Sequence, residues 1–153
     1  MRKSISIKTD LFLKRTLLLI GLIIITNFAN SQSIKLKKGY VLLDGKEILK
    51  YERENSGVYQ IHFFDLKDDN EVLFIKKNNN ETIHDVEDDY TEIKFIELRK
   101  GLEIKQNRTW AGYLEWLIKN KVLNYDGTIN EDKAEALIEN YDENISNRTI
   151  RVR

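Results

Sequence analysis

Tyr40-Val41-Leu42-Leu43-Asp44-Gly45-Lys46-Glu47-Ile48-Leu49-Lys50 is the stretch whose reading decides the fold. Two apolar runs flank Asp44-Gly45, and both positions of that dipeptide tolerate positive φ, as a two-residue hairpin loop requires. The pattern predicts antiparallel strands over Tyr40–Leu43 and Ile48–Arg53. Downstream, Val58–Phe64 alternates, with Tyr59, Ile61 and Phe63 on one face and Gln60 and His62 on the other. Asp68-Asp69-Asn70 then turns the chain into Val72–Ile75, apolar on both faces and so expected to be covered on both sides. Thr91–Leu98 and Leu102–Lys105 complete the series, with Gly101 expected to permit the turn between them. About six short strands with turn signals between them, and no helical period, predict an antiparallel meander over residues 34–106. It would be an open sheet or a partly closed barrel.

The period changes after Asn107. Trp110, Leu114, Leu117 and Lys121 fall on one helical face, and Tyr113, Trp116 and Ile118 widen its apolar arc. An ordinary surface helix needs an apolar stripe only somewhat wider than about 100°. This helix is therefore expected to have two neighbours, the sheet and a second helix. Asn130 is a good N-cap for that second helix, and Glu131 and Asp132 favour its N-terminal dipole. Ala134, Leu137, Ile138 and Tyr141 form its narrower stripe. The fold class that follows is α+β: a β-meander with two C-terminal helices, over 109–141, packed on it. Residues 142–153 read as a polar tail, expected to be loose because chain ends fray unless tied down.

The N-terminus bears on compartment. Arg2, Lys3, Lys8, Lys14 and Arg15 precede an apolar run over 16–25, and Ala29-Asn30-Ser31 supplies the small residues of a cleavage site. Charged start, short apolar middle and small-residue end are the secretory pattern. The apolar run is shorter than the roughly 20 residues of a spanning helix. Residues 1–31 are thus expected to be a signal peptide and 32–141 a single exported domain, periplasmic, outer-surface or secreted. An uncleaved anchor, lengthened by Thr26, Asn27 and Phe28, is the rival. The chain holds no cysteine, so neither a lipidated cysteine nor a disulfide enters the account. Of its 25 basic and 25 acidic residues the signal takes five and one, which leaves the exported part at −4 with neutral histidines. That sign argues against nucleic acid as a partner, since phosphate binding needs a positive field.

Candidate chemistry is sparse. Asn124, Asp126, Gly127 and Ile129 match the middle of an EF-hand loop, but Val122 stands at its first ligand position and Lys133 where a bidentate Glu belongs. An Asp-Gly turn followed by an N-cap accounts for the same residues. His84 sits in the acidic run His84-Asp85-Val86-Glu87-Asp88-Asp89, which lacks fixed metal-ligand spacing. Asn124, Asp126 and His84 are therefore weak metal candidates, and no metal or cofactor is expected. His62 needs an orienting partner within hydrogen-bond reach before it can act as a general base. The exported part has Ser33, Ser56 and Ser146 but no Gly-x-Ser-x-Gly elbow, and the chain has no glycine-rich phosphate loop. Trp110, Tyr113 and Trp116 read as core, or alternatively as a sugar platform.

The Ala-Asn-Ser-Gln-Ser signal end, the Gly39–Lys46 stretch, and Lys119–Leu123 with Asp126-Gly127-Thr128 resemble small uncharacterised exported proteins of flavobacteria and their relatives. The shared features are turns and apolar runs rather than ligands. The resemblance therefore implies export and this architecture, and no activity. Two functional classes follow. One is a non-catalytic binding or interaction module of the envelope or medium, whose partner is an envelope or extracellular protein or ligand. The other is a small hydrolase using carboxylates, His62 or His84.

Overall fold

The computed structural model describes residues 33–54, 59–78 and 89–149. The segment read as a signal, 1–31, lies outside them, as do His84 with most of its acidic run and the alternating end 150–153.

Seven strands run in sequence order across one sheet, each antiparallel to the next. They are β1 (Ile34–Lys37), β2 (Tyr40–Leu43), β3 (Lys46–Arg53), β4 (Tyr59–Phe64), β5 (Glu71–Asn78), β6 (Tyr90–Phe95) and β7 (Lys100–Ile104). Asp44 and Gly45 both take positive φ, +51° and +86°, so the hairpin that opened the sequence reading is present as expected. One strand more than expected precedes it. Lys38 (φ 52°) and Gly39 (φ 85°) make a second two-residue loop of the same kind, which folds β1 back onto β2. The meander is an open sheet, with β1 and β7 at its edges.

Alternation sends one side chain in two to the core: Ile61 and Phe63 from β4, Leu73 and Ile75 from β5, Ile93 and Phe95 from β6, Leu102 and Ile104 from β7. A bulge opposite Val41/Leu42 breaks the period in β3, so that Ile48 and Leu49 are both buried although adjacent. β5 is covered less completely than its composition suggested. Leu73 and Ile75 are buried, while Val72 and Phe74 lie half-buried on the outer face.

Gly101 has a different role from the one expected. The turn between β6 and β7 lies at Ile96–Arg99, with Arg99 at φ 51°, and Gly101 sits inside β7 opposite Lys94. A Cβ there would lie 2.5 Å from the Ile93 carbonyl oxygen. Glycine is needed for close backbone approach rather than for turning the chain.

Helix α1 (Trp110–Lys119) is capped by Thr109, whose hydroxyl accepts from the Gly112 amide, and α2 (Glu131–Tyr141) by Asn130, which accepts from Lys133 N. α1 packs against β1 and α2 against β7, so the two helices cover the inner face from its opposite edges. Tyr113, Leu114 and Leu117 are fully buried in the same core as the strands. Leu137 is buried and Ile138 half-buried, and the helices meet edge to face where Trp116 lies 5.5 Å from Tyr141.

Residues 142–146, the start of the segment expected to be loose, are tied to β7. Glu143 N donates to Glu103 O, Asp142 Oδ1 accepts from Glu103 N, and Glu143 Oε1 accepts from Lys105 N. Glu103 Oε2 accepts from Ser146 N at the start of a short helix, α3 (Ser146–Thr149), and Ile145 is buried. The open edge of β7 offers unpaired backbone groups, and a polar segment rich in Asp, Glu and Asn satisfies them.

Candidate functional site

The four strands β4–β7 end together on one rim of the sheet, and a cleft of about 280 Å³ opens there. Tyr59 begins β4, Lys77 and Asn78 end β5, Asp89 and Tyr90 lead into β6, and Lys105 follows β7; all line the cleft. Tyr59 pairs with Lys77, and Lys77 with Thr91, so cross-strand register brings residues distant in sequence to one place.

The floor is a polar clasp that fastens α1 to the sheet. Tyr113 is fully buried, and its hydroxyl lies 2.7 Å from Thr91 Oγ1, donates to Gln106 O at 2.8 Å and accepts from Arg108 N at 3.0 Å. Lys77 Nζ donates to Asn107 Oδ1 and to Arg108 O, both at 2.7 Å, and sits 5.0 Å from the Trp110 ring centre. Burial lowers the Lys77 pKa. Two carbonyl-type acceptors and an aromatic face still solvate its charge in place of water. Tyr90 is shifted the other way: burial, then the carboxylates of Glu103 and Glu92, hold its phenol protonated. Asp89 contributes a buried carboxylate oxygen, Oδ1, that receives no hydrogen bond.

His62 lies on the outer face of the sheet, on the side away from Ile61 and Phe63. It has the partner that a general base needs: its Nδ1 is 2.7 Å from Glu71 Oε1, with both side chains about 30% exposed. Phe74 packs 4.8 Å from the imidazole and Phe64 stacks at 6.5 Å. Sequence reasoning did not find Glu71. A register shift at Phe63/Phe64 sets Glu71 opposite Phe64, diagonal to His62, and bulges are poorly legible in a sequence. Neither His62 nor Glu71 lines the cleft.

Asn124 and Asp126 are brought together, but by a turn that uses their oxygens internally. Asp126 Oδ1 accepts from Thr128 N at 3.1 Å and from Thr128 Oγ1 at 2.7 Å, and these bonds lower its pKa. Asn124 O accepts from Gly127 N, and Asn124 Nδ2 donates to Thr128 Oγ1. Val122, at the first ligand position, is fully buried, because it belongs to the core that joins the helices. Among the described residues, no three His, Asp or Glu side chains converge as a metal site would require. Millimolar calcium is expected to leave the melting temperature unchanged, whereas a site filled to 100 times its dissociation constant would add about 2.7 kcal/mol. A calcium-dependent rise that disappears in Asp126→Ala would reverse this reading.

Of the aromatic trio, Tyr113 belongs to the core and Trp110 lies beside Lys77. Trp116 sits between Tyr141 and the Arg108 guanidinium. The trio is therefore not a shared ligand platform. Comparison with known proteins gives no family model, curated protein or solved structure that matches the chain.

Proposed function

We propose that this chain is an exported, non-catalytic binding module of the cell envelope or medium, and that it takes its partner at the cleft formed by Tyr59, Asp89 and Tyr90. One observation carries the reading: the pair suited to acid–base chemistry lines neither this cleft nor the larger hollow of about 550 Å³ beside Tyr40, Lys50, Glu52 and Phe64. His62 and Glu71 stand on the outer sheet face, while the cleft is lined by tyrosine, lysine, asparagine, aspartate and threonine. General base catalysis needs the base within hydrogen-bond reach of a positioned substrate proton. Binding needs convergent polar groups in a concavity, and the rim supplies those. The N-terminal pattern supports export, and the negative charge of the exported part supports a partner other than nucleic acid.

A second reading rests on the His62–Glu71 contact itself, which meets the base-plus-orienter requirement of a hydrolase. One preparation separates the two. Protein recovered from envelope or medium is expected to begin at Gln32. It is also expected to turn over ester, phosphate and glycoside reporters no faster than its His62→Ala variant. Met1 retained in a membrane fraction would remove the exported reading. Turnover that collapses in both His62→Ala and Glu71→Gln would establish the hydrolase.

A further inference from the structure

The edge of β7 is held by a segment that imitates a neighbouring strand. Glu103 turns both of its backbone groups outward: the amide donates to Asp142 Oδ1 at 2.9 Å, and the carbonyl accepts from Glu143 N at 2.8 Å. In an antiparallel ladder, one residue of the next strand would supply both partners. Here a side-chain carboxylate stands in for that strand's carbonyl. Two residues on, Lys105 N points the same way and donates to Glu143 Oε1 at 3.0 Å. Glu103 Oε2 accepts from Ser146 N at 2.7 Å, and buried Ile145 anchors the segment between these contacts. The other edge is protected differently. Two of the four residues of β1, Lys35 and Lys37, are exposed lysines, which discourage strand pairing.

The strand that best fits the edge of β7 is β7 of a second copy. With a two-fold axis at Leu102, Glu103 of each copy falls opposite Gly101 of the other. Gly101 lies two residues before Glu103, so alternation turns its backbone groups outward as well, and the two residues can exchange N–H and C=O bonds. Gly101 has no side chain to crowd Glu103 on the outer face. On the inner face Leu102 meets Leu102, and Ile104 meets the aliphatic stem of Lys100, which continues the buried side of the sheet across the junction.

We infer that residues 142–146 are a releasable guard on β7, and that freeing this edge pairs two copies of the chain through antiparallel β7 strands into one continuous sheet. The inference is independent of the cleft and its partner. The test compares the full chain, purified in the form the cell retains, with its Asp142→Ala/Glu143→Ala/Ile145→Ser variant. Sedimentation and amide hydrogen exchange are followed over a range of concentrations. The parent is expected to stay monomeric, with Glu103 and Lys105 amides protected at every concentration. In the variant those amides should exchange about tenfold faster or more when dilute. As concentration rises its mass should increase about twofold, with protection returning at Gly101 and Glu103. Adding Glu103→Pro should restore the monomer, because proline lacks the outward N–H and gives up no bond to β6. If the triple variant does not fold, Asp142→Ala/Glu143→Ala, which keeps Ile145 in the core, is measured in its place. A variant that stays monomeric with fast Glu103 and Lys105 amides would overturn the proposal, as would one whose amides stay protected when dilute. A parent already paired through β7, or a dimer that survives Glu103→Pro, would overturn it equally.

Discussion

Gly127→Ala is expected to destabilise the protein by about 3 kcal/mol or more, through strain and overlap acting together. Gly127 takes φ +90°, a conformation that side chains rarely adopt, and a Cβ built there would lie 2.1 Å from the backbone oxygen of Ile48. That oxygen belongs to the bulged part of β3 and has no freedom to swing aside as a flexible side chain would. The turn between the helices is seated directly on the sheet, so the added methyl must push it away. Gly45 supplies the control, since it has nearly the same φ, +86°, with nothing within 4 Å of its added Cβ. Gly45→Ala should therefore show conformational strain alone, about 1–2 kcal/mol. Urea melts followed by the fluorescence of Trp110 and Trp116 measure both variants. Equal losses in the two would mean that the close approach to Ile48 contributes nothing.

Leu117→Ala should cost about 2–5 kcal/mol, the range for truncating a leucine in a packed core. Leu117 is fully buried, and its neighbours on the helix face, Tyr113 and Leu114, are as inaccessible. Its carbonyl also accepts from the amides of Val122 and Leu123, which start the turn toward α2. Collapse around the cavity is thereby restricted, which favours the upper half of the range. Domains of this size have only about 5–15 kcal/mol of stability in total, and the chain has no cysteine to add to it. A denaturation midpoint within error of the parent would show that α1 lies on the sheet without being packed into it.

The parts of this architecture legible in the sequence are those governed by local rules. Asp44-Gly45 announced its hairpin because both positions need positive φ, and Asn130 announced a helix start because its side chain can cap one. Lys38-Gly39 does the same work as Asp44-Gly45, but lysine carries no turn preference, so β1 was not expected. Gly101 misled for the converse reason. A glycine reads as a turn, whereas here it serves the backbone contact with Ile93. The Asp142–Ser146 segment looked loose because its partners are the backbone and side-chain atoms of an edge strand about forty residues earlier. The two candidate sites were hidden in the same way. Glu71 reaches His62 diagonally across a register shift, and the cleft assembles Tyr59, Asn78, Asp89 and Lys105 from the ends of four strands. No spacing in one dimension encodes that convergence, because it depends on cross-strand register.

The cleft exists because α1 is built into the sheet. Lys77 is held by Asn107, the Arg108 carbonyl and the Trp110 ring, and Thr91 by the Tyr113 hydroxyl. The claim that sheet and helices form one folding unit, with the site at their seam, is tested most directly by thermal unfolding. The chain from Gln32 to Arg153 is compared with the same chain ended at Asn107. The shortened chain should lose its cooperative transition, or melt far lower, since its inner face would be stripped of Tyr113, Leu114, Leu117, Val122 and Leu137. A shortened chain that melts as cooperatively and at the same temperature would contradict the account, making the helices an appendage and their apolar face a separate surface.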